Sequence, residues 1–381
     1  MRTVRFVLFF LISITVLVAS QLNLQAQQGK KERLQLKHAN QAESYLKNNE
    51  LIRKFYGNVI FSQGEMNLQC DELFSFEKKN EYLLRGHVKI QDPDFKLVAD
   101  SARYFAEKKV FQAYGDVTLS SDDSKLNART VTYFQTEKRA VAEKDVQIDD
   151  KKQRVEITGQ RAELVRKKKY TKITGDPLFI QYDSTGREEM RIVGESMESF
   201  DQGKHFEIKK NVKITRDSTV ATCGFASYFA DSEIIELQEN PVAINASDKI
   251  TGEKMQLQMR DKKLQHILVT GKSKFVSTPD SSIREVAKEN YLTGQSIQLY
   301  FVENEVRKVH VNGTATSVYH IVNEDGVYQG QNWAQGDTII ISIAKKAINR
   351  IKIKSEPGNS QGKFSPPEGQ KADSSTVGKT L

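Results

Sequence analysis

Apolar and polar residues alternate along most of the chain, as in β-strands that bury one face and expose the other. Representative apolar residues two positions apart are Leu97 and Ala99, Val117 and Leu119, and Val309 and Val311. Apolar stripes at the helical spacing are nearly absent, and no long segment is rich in alanine, leucine and glutamate. The pattern therefore predicts an all-β protein.

A short motif recurs ten times along the chain. It consists of a small residue, a polar residue, any residue and an apolar residue, as in Ala99-Asp100-Ser101-Ala102. The ten small residues are Ala39, Cys70, Ala99, Ala128, Gly159, Gly194, Cys223, Gly252, Gly294 and Gly336. They lie 31, 29, 29, 31, 35, 29, 29, 42 and 42 positions apart. Such regular recurrence predicts a repeat protein.

A second motif recurs in phase with the first. It consists of glycine, a polar residue, valine, any residue and an apolar residue, as in Gly86-His87-Val88 followed by Ile90. Two further clear copies begin at Gly57 and Gly115, and weaker copies follow later in the chain. Glycine at this position predicts a tight turn or a close approach between units.

Because the repeat unit is short, its apolar face can be buried only by packing against neighbouring units. About 30 residues hold only two or three short strands, so each unit has to bury its apolar face against its neighbours. We therefore predict an elongated body of about ten stacked repeats, with surface loops in the two longest units at residues 277–290 and 317–332. The hydrophobic fraction is 38%, low for a compact domain, and agrees with strands that keep half of their side chains in solvent.

Both ends of the chain differ from the repetitive body at residues 31–354. Residues 1–26 resemble a signal peptide, because Arg2 and Arg5 precede a short apolar run and cleavage can follow Ser20 or Ala26. The alternative is a retained single-pass anchor, although the run is shorter than the roughly 20 residues that span a bilayer. Residues 355–381 are rich in glycine, serine and proline and predict a disordered tail. Cleavage would reduce the formal charge of +8 by the two arginines.

The two motifs and their period resemble those of the OstA-like (LptA-type) lipopolysaccharide-transport proteins, whose relatives include the LptC ectodomain and the LptD N-terminal domain. The resemblance covers about residues 31–354 and is clearest over residues 57–133. It implies a β-jellyroll whose two sheets meet at an angle around an apolar trough. It also implies a periplasmic protein of outer-membrane biogenesis that shields the lipid A acyl chains of lipopolysaccharide and has no catalytic residues.

Partners follow from the same resemblance. Other Lpt-type jellyrolls, or further copies of this chain, would join edge to edge by β-augmentation and connect the protein to the inner or outer membrane. The candidate joining edges are the N-terminal unit around residues 34–45 and the strands around residues 339–353.

The apolar residues of the second motif are candidates for the lining of the trough. Branched side chains that recur in successive units would offer acyl chains a continuous surface, worth about 0.8 kcal/mol per buried CH₂. The same side chains could instead pack together as an ordinary core. The candidate lipid-binding residues are Val59, Phe61, Val88, Ile90, Val117, Leu119, Val146, Ile148, Val212 and Ile214.

Cations recur in one predicted turn of the unit. They occur at positions 78–79, 108–109, 138–139, 166–169, 262–263 and 345–346. They are either a column of solvated turns or a basic edge that attracts anionic lipid phosphates or sugars. The candidate residues for a basic edge are Arg166, Lys167, Lys168 and Lys169.

The remaining chemistry-bearing residues give no sign of catalysis or of a bound metal or cofactor. Cys70 and Cys223 occupy the small-residue position five units apart, which predicts buried thiols rather than a disulfide. The six histidines lack metal-ligand spacing, and no catalytic or nucleotide-binding motif occurs. The cations do not cluster with aromatic residues as in a nucleic-acid-binding surface. We expect a transport protein that is not an enzyme; the alternatives are an exported structural or adhesive filament and a β-solenoid polysaccharide-degrading enzyme.

Overall fold

The computed structural model describes residues 34–367 except 94, 122–123, 262, 278–288, 304, 324–326 and 345–346. Nearly all regular structure in these ranges is β-strand, with one 3₁₀ helix at Arg166–Lys168. This confirms the all-β prediction. No helix among these residues has the length and hydropathy needed to cross a membrane. The signal-peptide prediction falls outside the described residues.

Most of the strands follow one another with short connections. They are β1 Gln35–His38, β2 Gln41–Lys47, β3 Glu50–Gln63, β4 Met66–Phe76, β5 Glu81–Gln91, β6 Lys96–Phe105, β7 Val110–Ser120, β8 Ser124–Phe134, β9 Arg139–Asp150, β10 Val155–Val165, β11 Tyr170–Thr174, β12 Leu178–Tyr182, β13 Glu188–Val193, β14 Ser196–Phe200, β15 His205–Arg216, β16 Thr219–Phe229, β17 Ile234–Gln238, β18 Val242–Asn245, β19 Asp248–Thr251, β20 Lys254–Arg260, β21 Lys263–Ser277, β22 Asn290–Val302, β23 Glu305–Val322, β24 Tyr328–Ala344, β25 Ala347–Lys354 and β26 Gln361–Ser365.

These strands form one continuous antiparallel sheet that folds over on itself into two layers. The long strands β3–β10, β15, β16 and β21–β24 pass through both layers, and most of them carry a register shift where they bend. Layer 1 contains residues 81–85 and 101–105, with the short strands β2, β11, β14, β17, β20 and β25. Layer 2 contains residues 88–91 and 96–99, with β1, β12, β13, β18, β19 and β26. This confirms the stacked strands that the repeats predict and the β-jellyroll that the family resemblance implies.

The two sequence motifs meet at the bends. The backbone of Gly86 has φ +74 and that of Gly115 has φ +97, a region that side chains other than glycine's rarely adopt. A Cβ atom at either glycine would overlap the carboxylate of Asp71 or Asp100, the polar residue of the preceding first motif. The spine is this line of bends; its residue pairs are Asn40/Gly57, Asp71/Gly86, Asp100/Gly115, Gln160/Gly175, Glu253/Gly271 and Gln295/Gly313.

The turns that end layer 1 stack on each other. The N–H of Ala106 donates to the carbonyl oxygen of Asn80 at 3.1 Å. The next two steps repeat the bond at the same distance, from Gln135 to Lys109 and from Arg166 to Lys138. The turn column is defined by residues 77–80, 106–109, 135–138, 166–169, 201–204 and 230–233. The recurrent cations at 78–79, 108–109, 138–139 and 166–169 therefore lie in or directly beside this column.

The C-terminal region departs from the predictions in two ways. The proposed loop at 317–332 is mostly strand, because β23 continues to Val322 and β24 begins at Tyr328, so longer strands account for part of the added length. The predicted tail is not structureless at 361–365, because β26 pairs with the otherwise open layer 2 half of β24. The other predicted loop, at 277–290, lies outside the described residues for most of its length, at 278–288.

The edge strands of the described sheet differ in part from the predicted joining edges. Among the described strands, β1 and β2 each pair only with β3, so their other sides form the N-terminal edge of the described sheet. β24 is flanked by β23 on one side and by β25 and β26 on the other. The C-terminal edge among the described strands therefore consists of β25 and β26 rather than the whole of residues 339–353.

Candidate functional site

The valine of the second motif begins layer 2 and points to the interior. In the strand register Val59 lies opposite Cys70, and Val88 lies opposite Ala99. The small residue thus leaves room for the branched one beside it, which explains why the two positions recur together. Cys223 takes the same place opposite Val212.

The structure brings the ten candidate lipid-binding residues onto the inner face of layer 2. Nine are buried, and Ile148 is partly buried against the same core. The lysine beside Val88, Lys89, points outward and is exposed because neighbouring residues of a strand face opposite sides. Inward and outward residues are therefore sharply separated along this row.

Inner faces of the two layers meet across the interior. The ring centroid of Phe95 in layer 2 lies 4.2 Å from that of Tyr133 in layer 1. Phe179 of layer 2 lies 5.2 Å from Phe206 of layer 1. Side chains thus fill the space at these points, so any apolar ligand would have to take the place of these contacts.

A line of side-chain contacts closes the interior on the side opposite the spine. The Tyr104 hydroxyl of layer 1 lies 2.9 Å from Oε1 of Gln63 at the end of layer 2, and 3.3 Å from Oε1 of Gln135 in the turn column. Gln135 Nε2 in turn lies 3.3 Å from the Met66 sulfur of layer 2. We call this side of the molecule the seam and these four residues the seam cluster.

Burial sets the chemistry of the seam cluster. Tyr104 is fully buried, and burial raises the pKa of its hydroxyl to about 12. The hydroxyl stays protonated near neutral pH and donates a hydrogen bond to one of the two glutamine oxygens. The seam is therefore held at this point by neutral hydrogen bonds.

The seam continues along the stack. Gln153 Nε2 in the layer 2 turn at 151–154 donates to the carbonyl oxygen of Gln202 in the turn column at 3.2 Å. Farther on, the Tyr228 hydroxyl of layer 1 hydrogen-bonds with the Gln181 side chain of layer 2. Sequence reasoning does not identify these contacts, because glutamine and tyrosine at strand ends carry no distinctive spacing.

The basic-edge candidates lie in the turn column. Arg166–Lys168 form the 3₁₀ helix, and Lys169 follows with φ 48. The side chains of Lys167, Lys168 and Lys169 are exposed, and Arg166 is half-buried. The backbone of Lys169 accepts a hydrogen bond from Gln202 at 3.4 Å, which joins this turn to the next one.

Both cysteines are buried and free, as the sequence predicts. Burial raises the pKa of the Cys70 thiol to about 12 and that of Cys223 to about 11. Such thiols are protonated and unreactive at neutral pH. Among the described residues, no group of three or more histidine, cysteine, aspartate or glutamate side chains could hold a metal ion.

Part of the chain is similar to a protein of known structure. That structure is the crystal structure of LptH, described as the LptA homologous periplasmic component of the conserved lipopolysaccharide transport device from Pseudomonas aeruginosa. The two share 16% sequence identity with a TM-score of 0.30, over 39% of this chain and 95% of that chain. The search of curated proteins found no significant match to this chain.

The family comparison covers more of the chain. The family described as LptA/(LptD N-terminal domain) LPS transport protein matches residues 37–139 and 75–263, which together span more than half of the sequence. This is a family of transport proteins and not a family of enzymes. The chain belongs to the LptA/LptD N-terminal family of lipopolysaccharide transport proteins.

Proposed function

We propose that this protein is a periplasmic carrier that shields the lipid A acyl chains of lipopolysaccharide between its two layers and passes them toward the outer membrane. The observation that carries the proposal is the inner row of layer 2, where apolar side chains recur at successive bends from Val59 to Ile214. The family supports lipopolysaccharide as the transported molecule. The N-terminal sequence, with its basic start and short apolar run, supports export.

Lipid binding requires the layers to move apart. Tyr104 and Tyr133 are almost completely buried, so the interior is closed by protein side chains. At the spine each long strand runs continuously from one layer into the other, whereas the seam is held by side-chain contacts. Acyl chains would therefore enter through the seam, and the hydrophobic effect of burying them would offset the disrupted packing between the layers.

Transfer between proteins would use the open ends of the sheet. The backbone groups on the free sides of β1 and β2 offer a template for strand addition, as do those of β25 and β26 at the other end. Tyr45 and Leu46 are large apolar side chains exposed at the N-terminal end. A partner jellyroll, or a second copy of this chain, would cover them.

The proposal is tested by site-specific photocrosslinking with lipopolysaccharide. A photoreactive residue at Val88 or Val117 should label lipid, whereas one at the neighbouring Lys89 should not, because Lys89 faces solvent. Equal labelling at all three positions would contradict binding between the layers. Mass spectrometry of the mature protein should detect co-purified lipid, and polymerisation without any bound lipid would favour the filament alternative.

A further inference from the structure

Two turns from opposite layers place cations around one point of the seam. The turn at 151–154 belongs to layer 2, and its Gln153 side chain contacts the backbone of Gln202 across the seam. Gln202 also contacts the backbone of Lys169 in the neighbouring turn of layer 1. Each turn carries three exposed cations; the layer 2 lip consists of Lys151, Lys152 and Arg154, and the layer 1 lip consists of Lys167, Lys168 and Lys169.

Carboxylates pair with cations in some other turns of the column: Arg139 Nε lies 2.6 Å from Glu137, and Lys204 lies 2.7 Å from Asp231. No side chain of the six lip cations makes an ion pair with any residue that the structure describes. The neighbouring Asp150 carboxylate instead accepts a hydrogen bond from the backbone N–H of Gln153 at 2.9 Å.

The layer 2 lip adjoins the apolar interior. Val155 follows the layer 2 lip and is buried, as is Ile157 two residues farther along β10. A lipid whose acyl chains lay between the layers at this level would have its polar head at the seam. The charge and the position of the lips thus fit one kind of ligand, an anionic headgroup on a lipid.

We propose that the two lips together bind the phosphate groups of the lipid headgroup, so that this part of the seam selects phosphorylated lipid. This inference rests on the proposed function and assigns one part of the carrier to the headgroup. Phosphate groups accept charge-assisted hydrogen bonds from lysine and arginine, which are stronger than neutral ones. A phosphate held from both sides would also join the layers where lipid insertion breaks the Gln153–Gln202 contact.

The test compares three charge-reversal variants of the full chain. One carries Lys151→Glu, Lys152→Glu and Arg154→Glu, and the second carries Lys167→Glu, Lys168→Glu and Lys169→Glu. The matched control carries Lys89→Glu, Lys144→Glu and Lys213→Glu, which reverses three exposed lysines at or beside the spine. All three variants lose the same formal charge, and circular dichroism and thermal melting verify that each is folded.

Binding is measured with phosphorylated lipid A, with the same lipid after removal of its phosphates, and with inorganic phosphate, each across a range of salt concentrations. We expect the wild-type protein and the spine control to bind phosphorylated lipid at least about tenfold more tightly than the dephosphorylated lipid, a difference of about 1.4 kcal/mol. Each lip variant should lose this preference while still binding the dephosphorylated lipid. Inorganic phosphate alone should show no saturable binding.

The outcomes separate the headgroup site from the carrier function. A wild-type protein that binds neither lipid would overturn the proposed function. Equal affinity for both lipids would leave the carrier intact and refute the headgroup site. Loss of preference in the spine control would show a general charge effect, and loss in one lip variant alone would refute binding by both lips. Saturable inorganic phosphate binding as tight as that of the lipid would refute a lipid headgroup as the ligand.

Discussion

The spine and the seam are the two long sides of the same folded sheet, and they are held by different kinds of interaction. At the spine the polypeptide itself connects the layers, and positive-φ glycines let it bend. At the seam the contacts are hydrogen bonds and packing between side chains such as Tyr104 and Gln63. The spine is therefore suited to act as a hinge, and the seam is where the layers can separate.

The two sides also differ in how far apart in sequence their partners are. Contacts along the spine join residues at a nearly constant offset; Asp71 and His87 are 16 positions apart, with side chains 2.7 Å from each other. Seam contacts join residues at irregular offsets, such as 41 positions for Gln63 and Tyr104 and 69 for Met66 and Gln135. Adjacent strands fix the spine locally, whereas the seam depends on how the two layers lie over each other.

Crosslinking the seam is expected to have the largest effect, because it blocks separation of the layers. Met66→Cys/Gln135→Cys joined by a short thiol-reactive crosslinker should abolish lipid loading, since these side chains already touch across the seam. The spine pair Asp71→Cys/His87→Cys, joined in the same way, should load lipid as the wild type does. Lipid bound per protein is measured by mass spectrometry before and after crosslinking.

The native thiols provide a built-in control for this experiment. Cys70 and Cys223 are buried with raised pKa values, so the reagent should leave the folded wild-type protein unmodified. Equal loading by the two crosslinked proteins would refute the seam as the opening.

A side chain at a spine glycine should produce the next largest effect. Gly115→Val adds a Cβ that overlaps the Asp100 carboxylate and forces valine into φ +97, so we expect a loss of about 2–5 kcal/mol in the free energy of unfolding. Gly186→Val is the matched control, because Gly186 has φ +84 but open space around its Cβ position. Urea denaturation of both variants separates the backbone strain from the overlap, and equal losses would show that the packing against Asp100 contributes nothing.

Removing one seam hydroxyl should have the smallest effect. Tyr104→Phe loses a hydrogen bond across the seam, and we expect about 1 kcal/mol of destabilisation together with faster lipid loading. Tyr114→Phe is the control, since the Tyr114 hydroxyl contacts Gln112 of the same strand on the exposed surface. Stability is measured by urea denaturation and loading by stopped-flow fluorescence of a labelled lipid. Unchanged loading in Tyr104→Phe would show that this bond does not resist opening.

The alternating pattern and the two motifs already determine most of the strands in the two layers and the position of the bends along the spine. Val88 and Ala99 occupy the predicted strands, and their pairing follows from the short antiparallel connection between β5 and β6. The basic turn at 166–169 falls into the predicted column because the layer 1 segment before it, residues 161–165, has the same five-residue length as residues 101–105 before the turn at 106–109. These features are local, so the residues that cause them lie close together in the sequence.

The alternating pattern does not predict features that depend on pairing between strands far apart in the sequence. The loop prediction at 317–332 is wrong for most of its length, because much of the added length of this unit extends β23 and β24 instead of forming a loop. Composition does not indicate β26, because its stability comes from pairing with β24 and not from the residue types at 361–365. Pairing with a preformed edge can order a segment that would be unstructured alone.

The sequence by itself determined an all-β repeat, the inward row from Val59 to Ile214, the bends of the spine and the basic turn column. Only the tertiary structure decided that Tyr104 closes the interior against Gln63 and that Lys151–Arg154 and the turn at 166–169 flank the same point. The physical reason is that strand periodicity and turn chemistry act between neighbours in the chain. Sheet twist, accumulated over many strands, sets which residues of one layer face which residues of the other.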